Sequence, residues 1–177
     1  MVAIITSGAV RSDSQLWVRS LDSTSARRLE DGDGASLPFW SPDSRRIGFF
    51  TRDKLKTIAA SGGRAQVLAD APGGRGAAWS PSNVIVYAPD ASGPLYRVPA
   101  SGGTPAPITE LETARKEYGH RFPSFLPDGE HFLFAALPGR NGKFDIFAGS
   151  LKDDSRTLVG AMDSAPTYAP STGTDPG

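Results

Sequence analysis

Cysteine is absent from this chain, and its two histidines lie eleven residues apart, at His120 and His131. Without cysteine there is no disulfide, no thiolate nucleophile and no cysteine-ligated metal. The histidines lack the surrounding carboxylate pattern that a metal site requires, so no metal is expected. Charge of one sign is also missing: nineteen basic residues balance nineteen acidic ones. That balance removes the strong field of a dedicated nucleic-acid or anionic-membrane binder. No apolar run approaches the ~18 residues of a membrane span. Val2-Ala3-Ile4-Ile5 is too short for a secretory core and has no basic residue before it. A chain beginning natively at Met1 would therefore be cytoplasmic by default.

Catalytic signatures are equally scarce. No G-x-x-x-x-G-K-[ST] phosphate loop occurs, and Pro72-Gly73-Gly74-Arg75-Gly76 reads as a connecting loop. No G-x-S-x-G nucleophile elbow occurs. His120-Arg121-Phe122 matches the start of a kinase catalytic loop, but the base would have to be an aspartate where Phe122 stands. Asp31-Gly32-Asp33-Gly34 hints at a calcium loop, yet the closing glutamate would fall on Pro42. The chain is read as non-catalytic, with no cofactor.

Turn residues, in contrast, are plentiful: 20 glycines and 15 prolines in 177 residues. They argue against long helices. Pro38-Phe39-Trp40-Ser41-Pro42-Asp43-Ser44 returns 85 residues later as Pro123-Ser124-Phe125-Leu126-Pro127-Asp128-Gly129. Partial copies lie at Trp79-Ser80-Pro81 and Pro166-Thr167-Tyr168-Ala169-Pro170. The aromatic thus recurs at 40, 79, 125 and 168. A period of about 40–45 residues built from short strands predicts an all-β propeller of four-stranded antiparallel blades.

Each repeat supports that prediction. Arg46-Ile47-Gly48-Phe49-Phe50 is a short apolar run, and Leu55-Lys56-Thr57-Ile58 alternates as a half-buried strand does. The turn Ser61-Gly62-Gly63 recurs at Ser101-Gly102-Gly103. Pro99 should end its strand. The predicted organisation is a partial blade at 1–30, blades at 37–68, 76–109 and 121–159, a single strand at 165–168, and a flexible tail at 171–177. Sixteen strands result. Either the chain is part of a larger propeller, or the last strand completes the first blade and closes a four-bladed ring. The tail, which lacks the usual continuation of a blade, favours the open fragment, with self-association through exposed blade edges.

Trp40-Ser41-Pro42-Asp43-Ser44-Arg45-Arg46-Ile47-Gly48-Phe49 and residues 125–134 resemble the TolB-like, WD-like propeller repeat. A nearer resemblance is to the propeller that follows the kinase domain of bacterial membrane-anchored serine/threonine kinases. Gln15-Leu16-Trp17-Val18-Arg19, residues 38–50, residues 95–103 and His120-Arg121-Phe122-Pro123 carry it. The resemblance implies a sensor or protein-interaction module, extracytoplasmic in such a parent. The alternative is the substrate-gating propeller of a serine peptidase or another hydrolase.

Two sets of residues stand out. Trp40, Trp79, Phe125 and Tyr168 share one repeat position and are expected to plug the gaps between blades. Pro42, Pro81 and Pro127 open the following turns, and Asp43 and Asp128 should hydrogen-bond the turn backbone. The second set lies on the longer, variable loops of one face, where a rigid scaffold usually carries binding. Residues 110–121 supply Arg115, Tyr118, His120 and Arg121, and residues 137–143 supply Arg140 and Lys143. A protein or small-molecule ligand would bind there; an ordinary solvated loop pair is the alternative.

Overall fold

The computed structural model describes residues 1–6, 14–138 and 143–168. Its fifteen strands fall into four antiparallel sheets, each in simple sequential order. The first sheet contains β1 (Val2–Thr6), β2 (Gln15–Arg19) and β3 (Ala26–Asp33). The second contains β4 (Ser36–Trp40), β5 (Arg46–Phe50), β6 (Lys54–Ala59) and β7 (Gln66–Asp70). The third contains β8 (Ala77–Trp79), β9 (Val84–Tyr87), β10 (Tyr96–Pro99) and β11 (Ala106–Pro107). The fourth contains β12 (Gly119–Phe125), β13 (His131–Leu137), β14 (Phe144–Ser150) and β15 (Arg156–Met162). These are one three-stranded and three four-stranded blades, as the repeat predicts. Pro99 ends β10. Inner strands meet in succession, β1 with β4, β4 with β8, and β8 with β12.

Strand alternation builds the core between blades rather than within them. On β5, Ile47 and Phe49 pack with Leu16, Val18 and Leu29 of the first blade. Phe50 turns the other way, toward Trp79, Ile85 and Tyr87 of the third. On β9, Val86 faces Phe132, Phe134 and Phe147 of the fourth blade. Three interfaces result, each apolar and each using a different face of its sheets. Gly48 belongs to this packing, because a Cβ there would lie 2.1 Å from the Phe39 ring.

The repeated proline turns are built alike. Ser44, Asn83 and Gly129 all have positive φ, and their amides bond back to Ser41, Ser80 and Leu126. Asp43 Oδ1 accepts from the Arg45 amide at 3.0 Å, and Asp128 Oδ1 accepts from the Glu130 and His131 amides at 2.9 Å. Both aspartates hold turn backbone, as expected.

Of the repeat aromatics, Trp79 is buried, while Trp40 and Phe125 are half-buried against the adjoining cores. Tyr168 differs. It is 40% exposed, and residues 165–168 form no strand. Pro166 in that segment has no N–H to give a ladder. The described strands therefore number fifteen rather than sixteen, and Tyr168 joins none of the apolar cores.

One repeated feature has no sequence signature. Leu37, Gly76 and Phe122 each stand three residues before the blade aromatic, and each has positive φ. In β4 and β12 the pairing register slips at this point. The backbone thus passes through the left-handed region three residues before the aromatic of each full blade, and at Leu37 and Phe122 this places a bulky residue where the conformation costs energy.

Candidate functional site

The connection between the third and fourth blades carries most of the predicted loop residues. It leaves β11, makes one 3₁₀ turn over Thr113–Arg115, and closes it with Lys116 in the left-handed conformation. It then enters β12 earlier than expected. His120 and Arg121 lie on that strand, not on a loop. Pairing with β13 runs from Gly119 to Arg121, slips at Phe122 and resumes at Ser124. The strand entry is also sewn to the third blade: the Gly93 amide donates to Tyr118 O and the His120 amide to Gly93 O, both at 2.9 Å.

Beneath this connection lies a buried charged cluster. The Glu117 side chain is 1% exposed, and that of His120 is fully buried. Glu117 Oε2 accepts from the Glu112 amide at 2.8 Å, from Arg156 Nη1 at 2.9 Å and from His120 Nε2 at 3.1 Å. Arg156 Nη2 also donates to Glu112 at 2.7 Å. Arg115 Nη2 donates to Asp145 at 2.7 Å, and its Nε faces Glu117 Oε1 at 3.5 Å. Both guanidinium groups lie against the Phe147 ring, at 5.3 and 4.4 Å from its centroid. His120 packs on Phe134 at 4.8 Å, and Phe134 stacks on Phe147.

The hydrogen-bond network assigns the imidazole tautomer. Thr109 Oγ1 already accepts from the Leu95 amide at 2.9 Å and lies 2.8 Å from His120 Nδ1. Its hydroxyl donates to Nδ1, so Nε2–H donates to Glu117. Burial lowers the His120 pKa more than Glu117 raises it. Burial pushes the Glu117 carboxyl up, but the bonds from Arg156, the Glu112 backbone and His120 outweigh it. The net direction is down. At neutral pH the cluster therefore holds a neutral imidazole and an ionised Glu117.

A cavity of about 280 Å³ opens beside the cluster, lined by Ile108, Thr109, Glu112, Phe134 and Arg156 among others. A more open groove of about 570 Å³, with Val67, Tyr87 and Tyr96 on its walls, lies between the second and third blades. Among the described residues no group of three histidine, aspartate or glutamate side chains is placed to hold a metal. No helix of these residues is long and apolar enough to cross a membrane.

The structure divides the predicted site residues. Arg115 and His120 meet through Glu117 in the buried cluster. Tyr118, 49% exposed, lies under the Arg121 guanidinium at 5.9 Å, and Arg121 Nε donates to Ala91 O at 3.1 Å. Lys143 pairs with Asp163 at 3.3 Å. Arg140 lies outside the described residues. Glu112, Asp145 and Arg156 were not anticipated. Asp145 carried a signal, a lone charge inside the apolar run Phe144-Asp145-Ile146-Phe147. Arg156 carried none.

No protein-family model matches the chain, and no curated protein matches its sequence. Solved structures do resemble it. A protein from Agrobacterium tumefaciens described as TolB aligns with a TM-score of 0.74 at 15% identity, covering 93% of this chain and 64% of that one. A chain of a nidogen/laminin complex aligns at 0.63 with 9% identity, over 85% and 59%. The propeller domain of a trilobed protease from Pyrococcus furiosus aligns at 0.54 with 12% identity, over 89% and 52%. The chain thus spans less than two thirds of each of these neighbours. At such identities the likeness speaks to fold, and the fold is that of a β-propeller segment with TolB-like and other propeller proteins as neighbours.

Proposed function

We propose that the chain is a non-catalytic propeller module that binds a protein or small-molecule ligand on the face carrying the 110–121 connection. The observation that supports this most is Tyr118. It is large, half exposed and capped by Arg121, yet its backbone is bonded to both Gly93 and Leu137. Tyrosine and arginine held on a fixed backbone are the side chains that dominate binding hot spots. They bury much area while losing little conformational freedom. A sensor or interaction role of this kind suits the kinase-linked propellers that the sequence resembles. The nidogen/laminin neighbour belongs to a protein complex by its own description.

A second reading has one specific support. Prolyl endopeptidase structures also align, with a TM-score of 0.61 and 14% identity, covering 94% of this chain and 29% of theirs. On that reading the chain is the gating propeller of a longer hydrolase. A photoreactive amino acid placed at Tyr118, with exposed Arg64 in the turn between β6 and β7 as control, separates binding from scaffold. Partner adducts at 118 and none at 64 are the expected result. Adducts at both positions alike, or only at 64, would remove the binding role from this face.

A further inference from the structure

We propose that the groove between the second and third blades binds a proline-rich peptide in the extended polyproline conformation. The site is separate from the 110–121 connection, and the inference does not rest on the binding role proposed there.

The walls come from two blades. β7 supplies Val67, 53% exposed, and Asp70. β9 and β10 supply Tyr87 and Tyr96, whose rings lie 6.3 Å apart and are tilted by 53°. Pro72, Pro89 and Pro105 border the same space of about 570 Å³.

Tyr87 has an unused donor. The residue is 1% exposed, and its ring packs in the core. Its hydroxyl has no hydrogen-bond partner among the described residues, yet it is not sealed from solvent. A tyrosine so buried, and on the wall of a groove, presents that hydroxyl to the groove. Burial pushes its pKa up to about 12, so it remains a donor at neutral pH. A buried tyrosine hydroxyl ordinarily finds a partner. An acceptor lying in the groove would supply one.

The walls narrow the choice of ligand. The three prolines have no N–H to give. β11 beside them has only two residues, Ala106 and Pro107. The third-blade wall therefore offers few amides to an incoming strand, and recognition must use side chains. A polyproline segment makes no internal hydrogen bonds, so its backbone carbonyls are free to accept. One turn of three residues spans about 9 Å. A carbonyl of that turn takes the Tyr87 hydrogen, and a proline ring packs on half-buried Tyr96 and exposed Val67. Aromatic-lined grooves suit such segments because little conformational freedom is lost on binding.

Charge sets the flank. Asp70 is the one charged residue among those described on the walls. It shares Lys54 with Asp53, at 2.5 and 4.0 Å, so one negative charge is left over. A basic residue next to the prolines matches it.

Titrating the intact chain with a synthetic peptide of about nine prolines and one flanking arginine, followed by ¹⁵N–¹H NMR at pH 7.5, tests the site. Saturable shifts with a Kd below about 1 mM are expected at the amides of Val67, Ala69, Tyr87 and Tyr96, and not at residues 116–121. A glycine–serine peptide of the same length and charge should bind at least tenfold more weakly. Tyr87→Phe removes only the hydroxyl and should weaken the proline peptide about three- to tenfold. Val67→Lys alters an exposed position, leaves the core intact and should weaken it at least tenfold. Replacing the peptide's arginine by alanine should lower affinity for the wild type but not for Asp70→Asn. No saturable shift, shifts confined to residues 116–121, or equal binding of the two peptides would overturn the proposal. So would a Tyr87→Phe variant that binds as tightly as the wild type.

Discussion

Replacing Trp79 by alanine empties a position between the second and third blades. The indole is 7% exposed and packs in the core with Phe50, Leu55 and Tyr87, its ring 6.4 Å from that of Phe39. An aromatic side chain buries about 150–250 Å², which at ~25 cal/mol per Å² corresponds to about 4–6 kcal/mol. Part of that burial survives in the alanine, and an extended-chain reference overstates the remainder. The expected loss is about 3–5 kcal/mol, the range for deleting a large buried aromatic. Trp40 occupies the same repeat position but is only half-buried, so Trp40→Ala should cost less. Urea denaturation followed by circular dichroism is the assay. With a slope of ~2 kcal/mol per M, the Trp79→Ala midpoint should fall by roughly 1.5–2.5 M with the slope unchanged. A midpoint that does not move, or a larger fall for Trp40→Ala than for Trp79→Ala, would refute the packing argument.

The two histidines should titrate on opposite sides of 6.5 by NMR. A hydrogen bond to Asp128 raises His131, so its contribution to stability is present below 6.5 and lost as pH rises through its folded pKa. Burial lowers His120, so its contribution is lost as pH falls. Asp128→Asn should bring His131 back toward 6.5 and leave His120 unmoved; a shift of both together would contradict the separate environments described. Gly48→Ala should destabilise by about 1–3 kcal/mol through overpacking, because its Cβ has nowhere to go but the Phe39 ring. In a Phe39→Ala background the same substitution should cost clearly less, and a double-mutant cycle of thermal or urea stability reads the difference.

The repeat was legible because it is a local code. Pro42, Pro81 and Pro127 fix turns within a few residues of themselves, and the apolar runs between them alternate with period two. The all-β propeller fold followed from these signals alone. The charged cluster was not legible, because it is assembled across a sheet. Arg156 lies 39 residues from Glu117 and 44 from Glu112, and only the pairing of β12 through β15 brings them together. His120 was assigned to a loop, and the register slip at Phe122 beside it is a backbone event. No residue type announces it, since Phe122 adopts there a conformation normally left to glycine. Tyr168 shows the converse error: the repeat motif recurs there in sequence, yet its aromatic is exposed.

The proposed binding role requires the 110–121 connection to be a fixed surface rather than a solvated loop. Backbone ¹⁵N relaxation at pH 7.5 tests this directly, residue by residue. For residues 116–121 the expected order parameters are about 0.85, the level of rigid backbone, matching β12 and β13. Values below about 0.6 across residues 116–119, the range of flexible backbone, would show that the charged cluster does not hold the connection and that Tyr118 is not presented as a rigid anchor.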